Sequence, residues 1–141
     1  MKTVKFKKQV IINVDWADKN FGAAPANEKV ACVATGKDIE EVEKNIVEAI
    51  KFHIEGMKEY GEEIPEEFVG EWEPVFKLTA RAQIRYSDNY ITRKALAKET
   101  GIAEQQLSHY ANGQRKPKPA TQQKIVAGIL AISKRLMFVS G

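Results

Sequence analysis

One cysteine among 141 residues leaves no internal disulfide to draw and no cysteine-based zinc site. Cys32 lies in VACVATG and is expected as a small buried hydrophobe. No apolar run reaches the ~18 residues that a membrane helix needs. The basic start MKTVKFKKQVIINV leads into acidic, strand-like sequence rather than a cleavage site. A cytoplasmic chain without a membrane segment is the resulting expectation. Gly-x-Gly phosphate loops, internal repeats and low-complexity stretches are also missing, and no cofactor is implied.

Catalytic constellations are equally sparse. Metal-assisted nuclease chemistry needs several carboxylates converging at strand ends. Asp15 and Asp18 are the near candidates, and they read as turn residues. His53 falls on the apolar face of a helix and reads as a half-buried packing residue. His109 has no Ser and Asp arranged with it as a triad. The expectation is a non-enzyme with no metal site.

What is present is charge, unevenly placed. The total of +3 hides a division after Phe76. Residues 1–76 carry 10 Lys/Arg against 16 Asp/Glu, a net −6, and residues 77–141 carry 12 against 3, a net +9. Such a split bears on partners: the back half suits a polyanion and the front half something basic. The alternative is two ordinary solvated faces. Lobes this small sit near the lower limit of independent stability, so subunit contact, as a homodimer or higher homo-oligomer, is expected.

The pattern along the chain is α+β, then all α. VKFKKQVIINV (4–14) reads as a first strand, DWADKNFG (15–22) as turn chemistry, FGAAPA as a second short strand and VACVAT as a third. Asp38 then caps a helix with Glu40, Glu41 and Glu43 at its positive end, and with Ile39, Val42, Ile46, Ile50, His53, Ile54 and Met57 at helical spacing. It should stop near Gly61. One helix over a small antiparallel sheet is the implied layer for residues 1–65. Residues 66–78 form a connector with a possible last strand in FVGEWEPVFKL, which Pro74 assigns to an edge. Residues 79–141 are helical. ARAQIRYSDNY is a weak first helix, Thr92 caps RKALAKET, and Gly101 ends it. Ala103 to Ala111 follow, and Pro119 opens a last helix to about Met137, with Ile125, Ile129, Ile132 and Leu136 on one side.

Two short helices joined by a Gly-containing turn can present the second helix to the DNA major groove. Leu96 and Ala97 face inward from the first. Ile102, Leu107 and Tyr110 lock the second against it. This leaves Glu104, Gln105, Gln106, Ser108 and His109 as candidates for reading base edges, where Gln suits adenine and Glu accepts from cytosine. Thr92, Arg93, Lys94, Asn112, Arg115, Lys116 and Lys118 stand at helix starts and loops, where phosphates are gripped. An ordinary αα-hairpin with a solvated face is the competing reading. The last helix, ending in LMFV, serves equally as dimer contact or as core.

The whole run TRKALAKETGIAEQQLSHYANGQRKP resembles the Xre/Cro-type helix-turn-helix. Upstream, CVATGKDIEEVEKNIVEAIKFHIEGMKEYGEEIP resembles the front domain of HicB-type antitoxins, with C-x-A-x-G before a helix that ends in H-x-E-G-x and is followed by E-x-I-P. Val30-Ala31 and Phe21 depart from that family's usual Pro-Gly and Tyr. The resemblance implies a partial RNase H-like front domain that binds a small basic mRNA-cleaving toxin of HicA type. It also implies a back domain that represses its own operon at a palindromic operator. Two other readings stand beside it: a stand-alone regulator whose front domain senses a ligand or protein, and a nucleic-acid-processing enzyme.

Overall fold

A computed structural model describes residues 7–140. The chain divides into two compact units, residues 1–77 and 78–141. None of the described helices is long and apolar enough to cross a membrane.

The first unit is built on a sheet with strand order β3-β2-β1-β4. In β1 (Lys8–Ala17), Val10, Ile12 and Val14 alternate into the core while Gln9, Ile11 and Asn13 face out, the period-2 pattern of a half-buried strand. Residues 4–6 of the expected first strand lie outside the described residues. Antiparallel β2 (Asn20–Pro25) returns along β1, pairing Trp16 with Phe21 and Ala17 with Asn20. The expected turn over 15–22 therefore shrinks to Asp18 and Lys19, Asp18 taking φ 59°. The reason is the pair itself: Trp16 and Phe21 meet edge to face at 4.9 Å, and such cross-strand aromatic contact extends a ladder through polar sequence.

The third strand is shorter than VACVAT suggests, with β3 covering only Ala34–Gly36. Local bonds take the backbone upstream. Lys29 N–H donates to Asn27 Oδ1, Val30 N–H to the Asn27 carbonyl, and Cys32 N–H to the Val30 carbonyl. Those donors are lost to a ladder. Cys32 is half-buried, and burial raises its thiol pKa.

Helix α1 (Ile39–Glu59) begins where Asp38 accepts from Glu41 N–H at 2.8 Å and ends before Gly61, φ 69°. Its buried face is Ile39, Val42, Ile46, Ile50, Ile54 and Met57, with His53 half-buried beside it. Each such aliphatic side chain contributes roughly 1.5–3 kcal/mol on burial, far more than its helix propensity does. Gly36 lies so close that a Cβ there would collide with the backbone of Val42.

After α1, a 3-10 turn (Glu66–Phe68) buries Phe68, which meets Trp72 edge to face. Lys8 Nζ grips this turn through Glu66 Oε1 at 2.7 Å and the Glu66 and Val69 carbonyls. That hydrogen bond holds the exposed Glu66 carboxyl below its usual pKa. Strand β4 (Trp72–Leu78) then takes the sheet edge beside β1, where Pro74 costs no interior hydrogen bond. The sheet is thus four-stranded and mixed, with β1, β2 and β3 as its antiparallel part, and the α+β reading holds.

The second unit contains α2 (Ala80–Ser87), α3 (Arg93–Thr100), α4 (Glu104–Ala111) and α5 (Pro119–Met137). Thr79 and Thr92 cap α2 and α3 by accepting from Ala82 and Ala95 N–H. Gly101, at φ 75°, ends α3 in the left-handed conformation expected of it. Ile84, Leu96, Leu107, Ala111 and Ile125 are wholly enclosed at the centre, with Tyr110 buried and Ala97, Ile102, Ile129 and Ile132 packed around them. The α5 stripe is only partly core, since Leu136 is exposed.

Where α5 crosses α3, Gly128 faces Leu96 and Thr100. A Cβ at Gly128 would overlap Thr100 Cγ2, and the Thr100 hydroxyl is held at 2.8 Å by the Leu96 carbonyl. Ala gains ~1 kcal/mol of helix propensity over Gly, and overpacking costs about 1–3 kcal/mol. In urea unfolding, Gly128→Ala should therefore lie between neutral and ~2 kcal/mol destabilised. Adding Thr100→Ser, which removes the clashing methyl and keeps the hydroxyl, should recover about 1 kcal/mol or more over the sum of the single changes. Strict additivity would remove the close approach as the reason for this glycine.

Candidate nucleic-acid interface

The buried side of α4 is Leu107, Tyr110 and Ala111, so its orientation is set by the core. The residues between them point elsewhere. Glu104 and Gln105 are exposed, while Gln106, Ser108 and His109 are half-buried. Unlike α2 and α3, α4 starts at Ala103 with no side-chain cap. Its first N–H groups thus have no side-chain acceptor and suit a phosphate oxygen.

Two of the five base-reading candidates, Gln106 and Ser108, have side chains held internally. Gln106 Nε2 donates to the Tyr110 hydroxyl at 3.0 Å, one helical turn on. Ser108 Oγ donates to the Glu104 carbonyl and accepts from Arg93 Nη1, both at 3.2 Å. His109 carries a buried Nδ1 with no hydrogen-bond partner among the described residues, and its carbonyl accepts from the N–H groups of Gln114 and Arg115. Glu104 and Gln105 are the freest readers.

The phosphate candidates divide in the same way. Lys94, Arg115, Lys116 and Lys118 are exposed. Thr92 places its hydroxyl on Ala95 N–H as the α3 cap. Arg93 is forked onto Asp88, Nε to Oδ1 at 3.2 Å and Nη2 to Oδ2 at 3.0 Å, with its third contact on Ser108. It therefore braces the start of α3 against α4 and already has a counter-charge. Asn112 Oδ1 accepts from Arg85 Nη2 at 3.0 Å.

Arg85 is a residue that the sequence reading left without a role. Its Nε donates to the Ala111 carbonyl at 3.1 Å, tying α2 to the last turn of α4. One turn earlier on α2, the Arg81 guanidinium lies where a Cβ at Gly113 would be, and Gly113 itself has φ 74°. The four-residue spacing of these arginines was the available signal. Together they shape the turn from which Arg115 and Lys116 emerge.

Residues 88–128 match the helix-turn-helix family, from the turn after α2 to the middle of α5. The second unit carries a helix-turn-helix. Its helix pair is α3 and α4, and it is a DNA-binding module of transcription regulators. No curated protein and no solved structure matches the chain. Among the described residues no group of three His, Cys, Asp or Glu side chains is placed to hold a metal. Asp15 instead accepts from Trp16 N–H, and Asp18 forms the β1–β2 turn.

A neutral side chain at position 85 would leave the Ala111 carbonyl and Asn112 without their donors. Each lost charge-assisted hydrogen bond is worth ~1.5–3 kcal/mol when buried and less at these partly exposed atoms. Arg85→Met should lower unfolding stability by about 1–2 kcal/mol and speed amide exchange at the end of α4. Unchanged exchange there would make Arg85 a surface charge only.

Proposed function

We propose that this protein is a transcription regulator that binds palindromic operator DNA as a homodimer or higher homo-oligomer, with α4 in the major groove. The observation that carries this reading is the division of α4. Its apolar face is locked into the core, while Glu104 and Gln105 are exposed, with exposed Lys94 in the preceding helix and exposed Arg115, Lys116 and Lys118 in the segment that follows. Glu104 and Gln105 contact base edges first. Gln106 and Ser108 follow by exchanging internal hydrogen bonds for bases, Gln106 giving up only one bond to a neighbouring hydroxyl, and His109 follows with a ring Nδ1 that has no hydrogen bond to give up. Lys94, Arg115, Lys116 and Lys118 hold phosphates, while Thr92 caps α3, Arg93 braces α3 against α4 and Asn112 ties the end of α4 to α2. Two half-sites about one DNA turn apart follow from two-fold symmetry.

The test uses a duplex from upstream of its own gene. Gln105→Ala should relax preference at one or two base pairs, by roughly 1–3 kcal/mol of discrimination. Lys116→Ala should weaken all sequences alike and make the log K against log salt slope shallower by about one unit. A uniform loss from Gln105→Ala, or an unchanged slope from Lys116→Ala, contradicts the assignment.

The first unit, on this reading, takes a small basic protein, and the HicB resemblance makes that partner an mRNA-cleaving toxin of HicA type. Supporting it is a groove of about 500 Å³ in which Glu40, Glu43 and Glu48 outnumber Lys44 and Lys51, beside Pro74 and Phe76. Burial, and then the neighbouring Glu40, raise the Glu43 pKa, so a cation placed there would relieve an existing cost. Occupying a basic RNA-binding surface excludes RNA, and opposite charge speeds the encounter. Co-expression with a short basic reading frame adjacent to the gene should abolish that frame's toxicity. Glu43→Lys should restore toxicity while DNA binding persists. Toxicity that is indifferent to this protein would favour the regulator whose first unit senses something else.

A further inference from the structure

Helix α3 opens against its own electrostatics. Its first turn holds Arg93 and Lys94 and no acidic residue, although the N-terminal end of a helix dipole favours negative charge. For Arg93 the missing anion comes from outside the helix. Asp88, at the end of α2, accepts from Nε through Oδ1 at 3.2 Å and from Nη2 through Oδ2 at 3.0 Å, and the third contact, Nη1 to Ser108 Oγ at 3.2 Å, ties the guanidinium to α4. This fork is also the way a guanidinium grips a phosphate. Neither side chain is sealed into the fold, since Arg93 keeps 23% and Asp88 31% of its surface exposed. A phosphate can therefore compete for the same donors.

We propose that Asp88 stands in for a DNA phosphate and withholds Arg93 from the duplex. The inference rests on the DNA-binding reading. Two anions want one guanidinium, and the carboxylate wins because it is part of the same fold and needs no encounter to reach its partner. Asp88 is thus a positioning residue. It decides whether Arg93 braces α4 through Ser108 or grips the sugar-phosphate backbone. The consequence falls on binding that is blind to sequence, which comes from cations that release counterions at phosphates. Each such contact adds ~0.9 to the slope of log K against log salt, or about fivefold in affinity near 0.15 M salt. A cation already neutralised within the fold adds neither. One carboxylate thereby lowers the affinity common to all sequences while it holds the tie between α3 and α4.

Equilibrium binding of the whole chain to a duplex of unrelated sequence, followed across salt, tests it. Asp88→Asn and Asp88→Ala, each checked for the helical circular dichroism of wild type, should bind that duplex about fivefold more tightly near 0.15 M salt and steepen the slope by ~0.9. The side-chain Nε–H resonance of Arg93, identified by its loss in Arg93→Lys, reports the partner directly. It should stay in place when wild type meets the duplex and move when Asp88→Asn does. An unchanged slope in both variants overturns the proposal. So does an Arg93 resonance that already moves in wild type, or a steeper slope with that resonance unmoved, which would make Asp88 a diffuse repulsive charge only. A wild type that binds no duplex at low salt removes the DNA-binding reading and this inference together, whereas a wild type that binds with the same slope as both variants removes this inference alone.

Discussion

The contact of Leu96 with Leu107 over Ile125 is the constraint on which the functional surface depends. Three helices meet at these wholly enclosed side chains. Gly101 lets α3 stop sharply enough for α4 to turn across it. Once Leu107, Tyr110 and Ala111 are committed inward, the 3.6-residue period leaves no choice about Glu104 and Gln105. They must face out. A solvated surface is thus aimed by an apolar interior, and the polar readers need supply none of the energy that orients them.

Polar ties refine this frame. Arg93 spans the α3–α4 junction from Asp88 to Ser108, and Arg85 closes the far end of α4 through Ala111 and Asn112. Both arginines lie on the strongly basic half of the chain, but their charge is used within the fold. The cations free to meet a polyanion are fewer than the +9 suggests. In and beside the α3–α4 pair they are Lys94, Lys98 and residues 115–118, and α5 adds the exposed Lys124 and Lys134. The acidic first unit is compact by itself, with its own core.

Elements with local causes were legible in the sequence. Asp38 and the isoleucine spacing mark α1, Thr92 and Gly101 bracket α3, and Pro119 opens α5, because caps and periodicity act within a few residues. Features caused by distant partners were not. β1 runs on to Ala17 because Trp16 finds Phe21, and β3 shrinks because Asn27 draws the backbone into turns. Among the candidate readers, the Gln106–Tyr110 bond could have been read from its four-residue spacing. The bracing role of Arg93 could not, since it joins residues fifteen positions apart. Leu136 fits the α5 stripe by period but lies past the end of the core, which no periodicity reveals.

Backbone amide NMR during titration with duplex DNA from the gene's own upstream region tests the central claim most directly. The account predicts that shifts concentrate at the start and outer face of α4 and at residues 115–118, with the amides of β1, β2 and α1 unmoved. Shifts confined to the first unit, or none at low salt, would contradict it.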